Sequence, residues 1–278
     1  MGIELNGAKV FVTGASTGIG AALAVELGKA GATVVITARR QNLLDEVLAE
    51  AKAAGAGADS YAVAADLGDI ALAEKVALEA WDRLGHLDAV VNNAAIPKRR
   101  HVIDLDGDEL DLVMRVNFAS PAHICLALLP KMLERKSGML MNVGSMAGRL
   151  GNPGEIAYCA SKFALSGFTE TLAIDLDGTG VEARLVTPGP FDTPIWDQEG
   201  EEPAPYEGPK YPPSVAAEAM VSALRGEGGF EHIVPAEMKG VVEFKAQDID
   251  TYLQGAIAFS KMKPGAPDLS RTSPPGAS

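Results

Sequence analysis

Tyr158 and Lys162 stand four residues apart in Tyr158-Cys159-Ala160-Ser161-Lys162, a spacing that sets both side chains one turn apart on a single helix face. An ammonium ion close to a phenol favours the phenolate and lowers a pKa of about 10 towards neutrality. Tyr158 would then be a usable acid-base. Ser145 follows the apolar run ending Val143-Gly144. A hydroxyl just past a parallel strand can reach a substrate oxygen, although a serine there also suits turn capping. Asn117 falls inside a long helical pattern over residues 110–133, with Pro121 four residues later. Proline has no N–H, so the Asn117 carbonyl loses its regular donor and is open to water or a side chain.

A second group of residues suits phosphate. Thr13-Gly14-Ala15-Ser16-Thr17-Gly18-Ile19-Gly20 joins an apolar β-branched run to a helical pattern. Glycines in this position let the backbone turn sharply and approach a pyrophosphate, while the helix start presents unpaired N–H groups. The Lys of a nucleoside-triphosphate loop is absent, which disfavours ATP or GTP hydrolysis. In a dinucleotide fold, an acidic residue about 20 positions on would bond the ribose 2′-hydroxyl, whereas an Arg accepts a 2′-phosphate. Here the second apolar run ends Thr37-Ala38-Arg39-Arg40. Two guanidinium forks and no carboxylate favour NADP(H), with NAD(H) as the alternative.

These residues need strand ends and helix starts to hold them. The pattern predicts strands at 9–13, 33–38, 61–65, 87–92, 139–143, 181–187 and 232–235, and helices that include 19–30, 41–54 and 214–225. Strand-helix alternation at this spacing gives a parallel sheet covered on both faces, a doubly wound Rossmann-type α/β fold in one domain. The domain is expected over 1–263, with a substrate loop at 188–213, a C-terminal helical segment at 237–263 and a disordered tail at 264–278. The loop carries Asp192, Asp197, Glu199, Glu201, Glu202 and Glu207 against the single base Lys210. An acidic entrance of this kind would favour neutral or cationic substrates.

Taken in order, the glycine turn, Asn92-Asn93-Ala94-Ala95, Asn117, Ser145, Tyr158 with Lys162, and Pro188-Gly189 followed by Thr193 resemble the motifs of the short-chain dehydrogenase/reductase family over roughly residues 5–195. Ala95 departs from the Gly common there, and the match after Thr193 holds only in outline. The resemblance implies Tyr158 as general acid in reduction and base in oxidation, with Lys162 lowering its pKa and holding the nicotinamide ribose. It also implies Ser145 on the carbonyl or alcohol oxygen and Asn117 on a water that relays protons to Lys162. The cofactor contacts it implies are Gly14, Ser16, Thr17, Gly18, Ile19 and Gly20 at the turn, then Arg39 and Arg40. Asp66 and Leu67 would lie at the adenine, Asn93, Ala94 and Ala95 near the ribose, and Pro188, Gly189 and Thr193 at the carboxamide. The expected activity is interconversion of a carbonyl and an alcohol by hydride transfer. A non-enzymatic NADP-binding regulator would usually have lost Ser145, Tyr158 or Lys162, and an NAD-dependent alcohol dehydrogenase of the same fold is the nearer alternative.

Composition narrows the partners. The chain has 278 residues, 47% hydrophobic and 22% charged, with a net charge of −13. That charge opposes nucleic acid and anionic membrane surfaces. No stretch is expected to reach the roughly 20 apolar residues of a membrane span. Cys125 and Cys159 read as buried thiols of a reducing, cytoplasmic compartment, and the four dispersed histidines lack metal-ligand spacing. The segments 112–130 and 157–176 carry so few charges that their outer faces call for cover, which points to a homo-oligomer, a tetramer or dimer.

Overall fold

The computed structural model describes residues 2–204 and 206–261. The stretch 264–278, expected as a disordered tail, lies outside them. The β-branched runs form seven strands: β1 Lys9–Thr13, β2 Thr33–Ala38, β3 Tyr61–Ala64, β4 Ala89–Asn92, β5 Gly138–Val143, β6 Val181–Pro188 and β7 Glu231–Val234. All neighbours pair in parallel, in the order β3-β2-β1-β4-β5-β6-β7. The order reverses between β1 and β4, which opens a crevice at the carboxyl ends of the strands.

Helices α1 Gly18–Lys29, α2 Gln41–Ala54 and α7 Pro213–Leu224 cover one face, and α3 Ile70–Leu84, α5 Ser120–Arg135 and α6 Ile156–Asp175 cover the other. Leu23, Leu27, Leu44 and Met220 fill the first layer against Val10, Val12 and Ile36. Ile124, Leu128, Met132 and Leu87 fill the second against Phe11, Val35 and Val90. Odd and even positions of one strand thus serve opposite cores, the outcome for a sheet buried on both faces. Each such side chain contributes about 1.5–3 kcal/mol through burial.

The long helical pattern is broken once. α4 Gly107–Met114, capped by the Asp106 carboxylate accepting from Glu109 N at 2.7 Å, runs into a π turn at Arg115–Ala119 and then α5. The Ser120 N–H reaches back five residues to the Arg115 carbonyl, so the gap expected beside Pro121 is absorbed by one wider turn. Gly107–Arg135 is long and apolar enough by length and composition to cross a bilayer, a property that core helices share. It arises here because α5 is apolar on two sides. Ile124, Leu128 and Met132 pack on the sheet, while Leu126 and Leu133 face outward.

Candidate active site

The turn after β1, the segment after β4, Ser145 after β5 and the loop after β6 open onto one cavity of about 1380 Å³. Of the residues expected to act in catalysis or to hold the cofactor, all line it except Gly20 and Asn117.

At one end lies the glycine turn. Gly14 has φ +67°, and a Cβ there would stand 2.6 Å from the Ala94 Cα. A Cβ on Gly20 would stand 2.5 Å from the Gly14 carbonyl oxygen. Both glycines are therefore required by close backbone approach. Asn93 fastens the turn: its Nδ2 donates to the carbonyls of Thr13 (3.0 Å) and Gly14 (3.2 Å), while Thr13 Oγ1 accepts from the N–H groups of Asn93 and Ala94. Thr17 occupies the N-cap of α1 without a side-chain capping bond, so the helix start has no side-chain acceptor from its cap residue. Ser16, Ile19, Ala95 and Leu67 complete this wall, and Gly18 approaches Thr193 Cγ2 across it. Arg39 and Arg40 are exposed at the end of β2, with Arg40 Nη2 3.5 Å from Ser16 Oγ. Asp66 is exposed past β3, its carboxylate accepting from Gly68 N at 2.9 Å.

At the other end, Ser145 Oγ accepts from Ala147 N at 3.1 Å and caps the turn Met146–Gly148, while also hydrogen-bonding the Tyr158 phenol. Lys162, on the same face of α6, is fully enclosed and donates from Nζ to the Val143 carbonyl at 2.8 Å. Its Nζ stands 5.8 Å from the Tyr158 ring centre. Burial lowers Lys162 to about 7 and raises the Tyr158 phenol above its ordinary value. Against that rise the Ser145 hydrogen bond and the Arg99 charge are the opposing influences, and Glu155 adds to it. In the polypeptide alone desolvation acts on both groups and opposes the expected lowering of Tyr158 by Lys162.

Asn117 acts through its side chain. Its Oδ1 accepts from Ile96 N at 2.8 Å, and its Nδ2 donates to Ile96 O at 2.9 Å and Ser161 Oγ at 3.1 Å. Ser161 Oγ in turn donates to the Tyr158 carbonyl at 2.7 Å. This bridge ties the π turn to the segment after β4 and to the helix carrying Tyr158. A buried ladder deeper in the sheet, Asn92 Nδ2 to Asn142 Oδ1 and Asn142 Nδ2 to Thr169 Oγ1, both 2.9 Å, joins β4 and β5 to α6.

In the loop after β6, part of the acidic charge is paired. Arg99, only 3% exposed, donates to the carbonyls of Glu202 (2.8 Å), Ile195 (3.1 Å) and Trp196 (2.8 Å). Glu201 accepts from the Arg99 N–H and pairs with Lys98 at 3.5 Å, and Glu202 accepts from His101 N at 3.0 Å. The Lys98-Arg99-Arg100 run thus holds Glu201, and Asp197 and Glu199 line the cavity. The opposite-sign runs were visible in the sequence; their pairing across about a hundred residues was not. Glu155 was also missed. It is buried and lines the cavity, accepts from Asn152 Nδ2 at 2.8 Å, and is raised by that burial.

The family model described as short chain dehydrogenase matches residues 8–204. A short chain dehydrogenase of Pseudocercospora fijiensis is 37% identical over 195 residues, covering 69% of this chain and 62% of that protein. The 3-oxoacyl-[acyl-carrier-protein] reductase FabG of Thermotoga maritima is 28% identical over 255 residues, 92% of this chain and 96% of the relative. Among solved structures, a short chain dehydrogenase/reductase from Burkholderia phymatum in complex with NAD superposes with a TM-score of 0.80 at 25% identity, covering 90% of this chain and 96% of that one.

Proposed function

The chain belongs to the short-chain dehydrogenase/reductase family of NAD(P)-dependent oxidoreductases, and on that premise we propose that it interconverts a carbonyl and an alcohol with NADP(H), using Tyr158 as the proton donor and acceptor. The observation that carries this reading is the convergence of Ser145, Tyr158 and Lys162 at one end of a cavity whose other end is the glycine turn with Arg39 and Arg40.

The residues fit a nicotinamide dinucleotide. The backbone cradle at Gly14 and Gly20 leaves no room for a Cβ, and the N-cap residue of α1 makes no side-chain bond to the helix start. A pyrophosphate suits that end, Arg39 and Arg40 suit a 2′-phosphate, and Asp66 suits an adenine amine. When bound, the dinucleotide supplies or takes up the hydride. The chain does the rest. In reduction, Ser145 Oγ and the Tyr158 hydroxyl hydrogen-bond the substrate oxygen, the Tyr158 proton passes to that oxygen as the carbonyl carbon gains hydride, and the alcohol leaves. Lys162 supports the phenolate that results. Asn117 positions α6 through Ser161. The preference for NADP(H) rests on the guanidinium groups, in contrast to the NAD of the Burkholderia phymatum neighbour. The test is a coupled one: a ketone added to the protein should consume NADPH faster than NADH at equal concentration, read as loss of nicotinamide absorbance. Consumption of neither would contradict the reading.

Residues 1–263 serve as one catalytic domain in this account, and buried, free Cys125 and Cys159 suit a reducing cytoplasmic setting. The outer faces of the long helices support self-association as a dimer or tetramer. Leu126 on α5 is 53% exposed and Ile174 on α6 is 70% exposed, and Leu133 and Phe163 on the same two helices are exposed as well. Apolar faces of this kind are normally covered by a second subunit. Light scattering at micromolar concentration should give a multiple of the 28.9 kDa chain mass; a mass equal to one chain would overturn the assembly.

A further inference from the structure

Beyond the matched residues 8–204, the chain builds a wall that the family match does not reach. Helices α8 Lys239–Gln247 and α9 Ile249–Lys261 contribute Val241, Phe244, Tyr252, Ala256 and Phe259 to the lining of the cavity, and Met238 joins them from the turn just before α8. None of these is charged. Phe244 and Tyr252 make the wall partly aromatic. Across from it Ile195 and Trp196 enter from the loop after β6.

The wall is attached to the catalytic loop. Tyr252 Oη donates to the Gly151 carbonyl at 3.0 Å, and Lys245 Nζ donates to the Arg149 carbonyl at 2.6 Å while standing 4.7 Å from the Phe163 ring centre. Both carbonyls belong to the segment that follows Ser145. Met238 seats against Gly189, where a Cβ would come within 2.3 Å of its sulfur. The polar tips of Tyr252 and Lys245 are thus turned to the backbone, and their apolar parts remain beside the aromatic lining.

Charge at this end excludes one class of ligand. The lining cations among the described residues are Arg39, Arg40, Arg99 and Lys162. The first two stand at the glycine turn. Arg99 donates to three loop carbonyls, and Lys162 Nζ donates to Val143. The carboxyl groups of Glu155, Asp197 and Glu199 also line the cavity. An anionic substrate, such as a carboxylate or a phosphate-bearing acyl carrier, would meet acidic groups and no uncommitted buried cation.

We propose that the substrate is a bulky, uncharged, largely apolar ketone or alcohol, whose hydrocarbon body lies against the α8–α9 wall while its oxygen reaches Ser145 and Tyr158. The proposal rests on the carbonyl-alcohol reading above and names its substrate class. Apolar contact area in such a pocket discriminates by about 10–200-fold per missing group of methylene size, so size dependence is the readout. Binding of cyclohexanone, 2-decalone, a steroid-sized ketone and a carboxylate derivative of decalone is measured by calorimetry with NADP⁺ present, on the unmodified protein and on Tyr158→Phe. Turnover of the same four is measured with NADPH. Affinity is expected to rise at least ~10-fold from cyclohexanone to decalone and to fall for the carboxylate. Phe244→Ala should reduce the decalone-to-cyclohexanone ratio by about 10-fold, with Phe244→Leu intermediate and Phe259→Ala as a second variant on the same wall. Size-independent affinity, tightest binding of the carboxylate, or equal losses for small and large ketones in both wall variants would overturn the proposal. Turnover of all the ketones without size dependence would overturn it while sparing the carbonyl chemistry. Size-dependent binding without NADPH consumption would do the reverse.

Discussion

Replacing Tyr158 with Phe is expected to lower kcat by at least ~100-fold, the scale for removing a positioned acid-base, while nicotinamide cofactor binding is retained. Only a hydroxyl is lost, and the ring keeps its place beside Lys162 and Ser145. The variant should therefore fold, which a thermal melt alongside the kinetics checks. Because burial raises this phenol, the deprotonated form that oxidation needs is reached only as pH rises. Alcohol oxidation should accelerate on the alkaline side, and carbonyl reduction, which needs the protonated phenol, should hold at neutral pH. A Tyr158→Phe protein with near-normal turnover would remove this residue from the chemistry.

Arg39→Asp is expected to produce the second-largest change. It exchanges a phosphate partner for a hydroxyl partner at the end of β2, so NADPH affinity should fall by roughly 10–100-fold, the range for a lost charge-assisted hydrogen bond, while NADH affinity holds or improves. Arg39 and Arg40 are exposed, so the NADPH advantage of the unmodified protein should shrink with added salt. The variant isolates one guanidinium; Arg40, already directed at Ser16, retains part of the preference. Cofactor titrations read both effects. Equal NADP and NAD affinities in the unmodified protein would refute the role of this pair.

The fold was legible because its signals are local. β-branched runs of strand length separated by helix-length patterns become strands within two residues of their expected ends, as at β1 and β2, and the alternation forces parallel pairing. The glycine turn was legible for the same reason: spacing and flanking elements suffice, and the contacts at Gly14 and Gly20 supply the cause. What escaped the sequence depends on distance or on solvent. The Arg99 clasp joins segments about a hundred residues apart. Glu155 gains interest only because folding encloses it beside Tyr158. The expected lowering of the Tyr158 pKa considered a charge four residues away but not desolvation, which acts on both partners. For Asn117 the proline marked an irregular turn, whereas the side-chain bridge to Ile96 and Ser161 needed the tertiary structure. The α8–α9 helices were expected as amphipathic, but nothing local says that their apolar surface faces a cavity.

The most direct test of the central claim follows the hydride itself. The protein is incubated with decalone and NADPH carrying deuterium at the transferable C4 position, and the product is analysed by mass spectrometry. The account predicts decalol with one deuterium on the carbinol carbon, NADP⁺ in equal amount, and loss of product in Tyr158→Phe. Unlabelled alcohol, or cofactor bound without any alcohol formed from the whole ketone series, would contradict it.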